Sequence, residues 1–108
     1  MGGRMNPDRA QLDLLAAQPP PLPTEGDVWA EVIADTDSND PLLPFFVARR
    51  AAGIAKYGVP LGRGNGRDFR ADAMQEACDG VAYSRGGGFT DAEACFRAAA
   101  MALLVNRA

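Results

Sequence analysis

Apolar positions recur along this chain with a helical rhythm and nowhere alternate convincingly with period two. Val28, Trp29, Val32 and Ile33 repeat at helical spacing and predict a short helix from Val28 to about Thr36, closed by the turn-rich run Asp35-Thr36-Asp37-Ser38-Asn39-Asp40. Asp40-Pro41 reads as an N-cap followed by proline at the first helical position, which predicts a second helix from about Pro41 to Tyr57 with Pro44 in its first turn. Gly58 to Arg67 holds four glycines and a proline in ten residues and reads as a loop. Asp68 can cap a third helix from Phe69 to about Ser84, stopped by Gly86-Gly87-Gly88. Thr90-Asp91-Ala92-Glu93 reads as a capping box opening a last helix to about Asn106, with Ala92, Cys95, Phe96, Ala99 and Leu103 as its buried stripe. The predicted fold class is all-α: a small helical bundle of three main helices after a short N-terminal one.

Residues 1–27 stand apart as an N-terminal arm. They contain a helical possibility around Pro7 to Ala17 and then Gln18-Pro19-Pro20-Pro21-Leu22-Pro23, a run that cannot join a helix and favours extended polyproline backbone. We read it as a linker, with residues 28–108 forming the helical domain; docking of the run onto another protein is the less common role.

Composition sharpens the picture. Of the 108 residues 47% are apolar, but 20 of those are alanine, which leaves a thin core for a monomer and favours completion by a dimer or tetramer. The Leu42, Leu43, Phe45, Phe46 cluster suits such an interface. A net charge of −3 and a pI near 4.8 argue against nucleic acid as a partner. No apolar stretch approaches the roughly 20 residues of a membrane span, and no secretory signal is legible, so a cytoplasmic protein is expected. There is no histidine, which removes Ser-His-Asp and Cys-His nucleophile schemes. Cys78 and Cys95 are expected to be reduced, Cys78 as a small hydrophobe on a packing face.

The third helix carries the sharpest chemical signal. Asp72, Glu76, Asp79 and Tyr83 are spaced 0, 4, 7 and 11, which at about 100° per residue places them within roughly 60° of arc, while Met74, Ala77, Cys78 and Val81 form an opposite stripe. Carboxylates on successive turns repel one another, so a positive group is expected opposite them, either Mg²⁺ with its hard oxygen ligands or arginine. A plain solvated face is the simpler alternative. Charge is also segregated: residues 49–70 carry Arg49, Arg50, Lys56, Arg63, Arg67 and Arg70 against Asp68 alone, whereas residues 25–40 carry six acids and no base. A glycine-rich loop lets backbone amides approach an anion, and arginines beside it supply forked donors. Arg49, Lys56, Tyr57, Asn65, Arg67 and Tyr83 are therefore candidates for gripping a nucleotide; the alternative is a surface turn whose arginines pair with the helix acids. Trp29, beside Val32 and Ile33, reads as core before base-stacking.

These residues also carry a resemblance. Arg49-Arg50-Ala51-Ala52-Gly53-Ile54-Ala55-Lys56-Tyr57-Gly58-Val59-Pro60-Leu61, then Asn65-Gly66-Arg67-Asp68, then Asp72-Ala73-Met74-Gln75-Glu76-Ala77-Cys78-Asp79 and Tyr83, resemble phage-type members of the all-α NTP pyrophosphohydrolases, the MazG-like proteins. The resemblance covers about a third of the chain. It implies a helical, usually oligomeric hydrolase that uses Mg²⁺ to split a nucleoside triphosphate into monophosphate and pyrophosphate. Glu76 and Asp79 match that family's Glu-x-x-Asp metal-binding half, and Asp72 lies one turn before it, so these three are the expected catalytic and metal-binding residues.

The preceding helix departs from the pattern. Leu42-Leu43-Pro44-Phe45-Phe46-Val47-Ala48 contains no acid, and Phe45 stands where similar sequences tend to show aspartate. Glu31 and Asp35, or acids of a second subunit, are the available replacements. The departure also opens two alternatives: a silent relative that binds and sequesters a nucleotide, linear or cyclic, as a phage anti-defence protein would, and a helical module that binds a protein partner.

Overall fold

The computed structural model describes Leu14 and residues 16–105, and the expected helix around Pro7 to Ala17 lies mostly outside the described residues. Four helices and no strand occur among the described residues: α1 Val28–Ala34, α2 Leu43–Tyr57, α3 Phe69–Gly87 and α4 Thr90–Val105. The all-α class is what the structure shows. No described helix is long and apolar enough to cross a membrane. The chain divides into two compact units, Pro19–Arg67 and the combined segments Met1–Gln18 and Asp68–Ala108.

In the Pro19–Arg67 unit, α1 begins where Asp27 leaves extended backbone and its carboxylate accepts the Ala30 N–H at 2.9 Å. α2 starts at Leu43, two residues later than the Asp40-Pro41 signal suggests. Asp40 spends its carboxylate on the Leu42 N–H at 2.8 Å, closing a turn before the helix instead of capping it. Pro44 does fall in the first turn, and Gly58 ends the helix in the left-handed region at φ 78°, where a side chain would be strained. The two helices meet through Trp29 and Phe46, whose tilted rings are 6.0 Å apart. Trp29 is thus a half-buried packing residue, while Leu42 and Phe45 are exposed.

The other unit is an antiparallel-type helical pair closed by a short glycine turn. Asp68 caps α3 as the sequence predicts, its carboxylate accepting the Ala71 N–H at 3.1 Å, and Gly88 stops it at φ 77° after three more residues than expected. α3 buries Ala71, Met74, Ala77, Gly80 and Ser84. Leu14 joins Ala71 and Met74 in a small core, against which Ala100, Leu103 and Leu104 of α4 pack.

The expected stripe of α4 holds in part: Leu103 packs against the core and Phe96 lies against Gly80, whereas Cys95 and Ala99 are exposed and Ala100 and Leu104 take inner positions instead. Alanine and larger apolar residues occur all around α4, so spacing alone could not fix which side packs. The capping-box reading of Glu93 is also corrected. Its carboxylate is held by Arg85, at 3.0 Å from Nε and 2.8 Å from Nη2, and by Arg97 Nε at 2.9 Å.

Candidate functional site

The acidic face of α3 forms as its spacing predicts, because the buried residues of the helix lie on its other side. Glu76, Asp79 and Tyr83 are exposed and Asp72 is half-buried, while Met74, Ala77 and Gly80 are buried. Tyr83 is 77% exposed, so its ring contributes little to the core. Glu76 and Asp79 form no ion pair with another described residue. Among the described residues no group of three or more acidic or cysteine side chains converges on one point where a metal ion would sit. Asp72, Glu76 and Asp79 thus share a face without forming a three-carboxylate cage.

Cys78 lies on the packing side of α3 as expected, with its Sγ 3.8 Å from Met74 Sδ, but it is exposed there and not buried. It lines an open apolar groove of about 490 Å³ between α3 and α4 with Met74, Val81, Arg97, Ala100, Met101 and Leu104. Both cysteines are free thiols, as expected.

Much of the segregated charge is satisfied within the Pro19–Arg67 unit itself. Arg50 places Nε 2.8 Å and Nη2 2.7 Å from Asp27 Oδ2, tying the start of α1 to α2. That hydrogen-bonded guanidinium, with the Ala30 N–H, holds the Asp27 carboxyl below its usual range. Arg63 grips Glu31 with both terminal nitrogens, one of them Nη2 at 3.0 Å from Oε1, and lowers the Glu31 pKa in the same way. Glu31 is accordingly engaged by a loop arginine and does not stand free as a replacement metal ligand. In the other unit Arg70 turns to the last turn of α4, donating Nη2 to the Leu104 carbonyl at 2.8 Å.

Two basic residues of the run are placed differently. Arg49 and Lys56 are exposed and, seven residues apart, lie on one face of α2 with Phe45 one turn before Arg49. Lys56 Nζ lies 5.0 Å from the centroid of the exposed Tyr57 ring. Phe45, which the sequence offers both as a lost acid and as part of an apolar interface cluster, is 67% exposed and lies one helical turn before Arg49. Asn65 and Arg67 occupy the glycine loop, where Asn65 is buried and accepts the Arg67 N–H through Oδ1 at 3.1 Å. Arg67 also donates Nη1 to the Pro19 carbonyl at 2.7 Å.

The candidate residues therefore fall into two sets. Arg49, Lys56, Tyr57, Asn65 and Arg67 belong to the Pro19–Arg67 unit, and Asp72, Glu76, Asp79 and Tyr83 to the other. No protein-family model matches the chain. No curated protein matches its sequence, and no solved structure matches it either.

Proposed function

We propose that the protein binds a nucleoside triphosphate together with Mg²⁺ and hydrolyses it to a monophosphate and pyrophosphate. The observation that supports this reading is the open carboxylate pair Glu76 and Asp79, three residues apart on the unpacked face of α3 and without an ion-pair partner among the described residues. Mg²⁺ is commonly held by one or two carboxylates, with water and substrate phosphates completing its shell. A pair of acids suits an ion that arrives with a nucleotide, because the phosphates bring further oxygen ligands. When bound, the ion supplies positive charge to the triphosphate. Glu76 and Asp79 would hold it, with Asp72 one turn away in the same unit; Arg49, Lys56 and Arg67 of the Pro19–Arg67 unit are assigned separately to phosphate charge. Tyr57, Asn65 and Tyr83 are assigned to the nucleotide's polar edges.

A second reading, binding without cleavage, is favoured by Phe45. An exposed aromatic ring one turn from Arg49 can stack on a base while the guanidinium attracts phosphate, but the ring cannot ligate a metal or position a water. Calorimetric titration of linear and cyclic nucleotides, with and without Mg²⁺, followed by analysis of each mixture for monophosphate and pyrophosphate, separates the two. Turnover supports the hydrolase; tight binding with intact ligand supports sequestration; silence across the panel overturns both. Self-association is part of the proposal, given the exposed Leu42, Phe45, Val47, Met101 and Val105, and a monomeric mass in light scattering would remove it.

A further inference from the structure

The proline-rich run is not a free spacer. Within the Pro19–Arg67 unit its residues 19–24 lie along the glycine loop Leu61–Arg67. Leu22 donates its N–H to the Asn65 carbonyl at 2.7 Å, and Arg67 Nη1 reaches the Pro19 carbonyl at 2.7 Å. The approach is close enough to require glycine: a Cβ on Gly62 would fall 2.0 Å from Thr24 Oγ1 and 3.1 Å from the Glu25 carbonyl. A Cβ on Gly66 would sit 3.2 Å from Leu22 Cδ1, and Gly66 itself adopts φ +82°.

This contact leaves polar groups unsatisfied. Asn65 is 1% exposed; its Oδ1 accepts the Arg67 N–H, but its Nδ2 has no partner, and neither does the buried Thr24 Oγ1. Buried donors without acceptors disfavour the closed arrangement. The closed contact thus combines two backbone-directed hydrogen bonds with two unmet polar atoms, and opening would release both. The groups beneath or beside the segment also share one chemistry. Asn65 Nδ2, the Thr24 hydroxyl and the Arg67 guanidinium can all donate, and the carbonyl of Pro19 is the acceptor that the guanidinium now holds.

We infer that Pro19–Thr24 is a strap over the Asn65–Arg67 loop, and that the phosphate oxygens of a bound ligand displace it. The inference rests on the nucleotide reading above. Phosphate offers acceptors only, replaces the Pro19 carbonyl on Arg67 and supplies the missing partner of Asn65 Nδ2. The strap is then a competitor in cis, and apparent affinity is reduced by the fraction of molecules in which it is closed.

Leu22→Gly tests this without entering the loop, because Leu22 is 60% exposed and its removal loosens the strap while leaving Asn65, Gly66 and Arg67 in place. Binding of inorganic triphosphate and of the nucleotide panel is measured on the full chain, with the hydrogen exchange of the Leu22 amide followed in parallel. The expected result is affinity tighter by about five- to tenfold in Leu22→Gly, loss of Leu22 amide protection when triphosphate is added to the unaltered protein, and weakened binding in Asn65→Asp, which exchanges the donor for an acceptor. Equal or weaker binding in Leu22→Gly, or a Leu22 amide that becomes more protected with ligand, overturns the strap and leaves the nucleotide reading standing. Failure of both proteins to bind triphosphate or any nucleotide overturns the two together.

Discussion

Gly80 of α3 lies under the ring of Phe96 of α4, so close that a Cβ at position 80 would fall 2.5 to 2.6 Å from three ring carbons. Glycine in mid-helix costs about 1 kcal/mol relative to alanine, so the helix tolerates an intrinsic weakness here to let the two elements approach. Gly80→Ala should therefore destabilise the protein, since overpacking costs about 1–3 kcal/mol against the propensity gained. In a Phe96→Ala background the same substitution should stabilise by up to about 1 kcal/mol. A double-mutant cycle in urea reads both signs; stabilisation by Gly80→Ala alone would mean that the ring moves aside without cost.

Among the described residues Glu93 is the acid whose titration is most displaced. Hydrogen bonds from Arg85 and then Arg97 pull its pKa from 4.5 down to about 2. With the folded value depressed, the unfolded chain takes up this proton first as pH falls, so the stability Glu93 contributes is complete above about pH 4.5 and is lost on the way down to about 2. The Tm gap between the unaltered protein and the variant carrying Arg85→Ala and Arg97→Ala should close across that interval. A gap that persists unchanged at pH 2 would show that the guanidiniums act through packing.

The carboxylates assigned to the metal and the cations assigned to phosphate should separate kinetically. Glu76→Gln and Asp79→Asn should each lower kcat at least tenfold on the triphosphate that the panel identifies, because they remove groups that hold Mg²⁺. Arg49→Ala and Lys56→Ala should chiefly raise KM, since an exposed cation attracts the ground-state phosphate as well as the transition state. Neither cation has a structural hydrogen bond among the described residues, so their loss should leave Tm within about 1 °C. Unchanged turnover in both acid variants would withdraw the metal assignment.

Strong local signals in the sequence located α3 well: Asp68 at its start, glycines at its end and a carboxylate face opposite apolar residues. α4 shows the limit of such reading. With Ala98, Ala99, Ala100, Ala102 and larger apolar residues around its circumference, periodicity does not choose a side, and the choice falls to Leu14, Ala71 and Met74. The strap was less legible still, because Leu22 and Pro19 engage the loop through backbone atoms and side-chain pattern carries no record of those bonds. At the candidate site the residue types were readable, but the commitment of Arg50 to Asp27 and Arg63 to Glu31 depends on contacts 23 and 32 residues apart in sequence.

Arg70 illustrates how one of those basic residues serves the fold. From the first turn of α3 its guanidinium reaches the last turn of α4 and donates to the Leu103 and Leu104 carbonyls, which lie among the helix-end acceptors left without intrahelical partners. A cation there also complements the negative end of the helix dipole. Arg70→Ala should cost about 1.5 kcal/mol, the lower end for hydrogen bonds from a charged donor because the group is only partly buried. Arg70→Lys should recover part of that, since lysine retains the charge but cannot fork onto two successive carbonyls. The expected local signature is faster hydrogen exchange confined to the last turn of α4, with α1 and α2 unaffected. Uniform loss of protection through both units would show instead that Arg70 supports global stability, and nucleotide affinity measured on the same variant should not change.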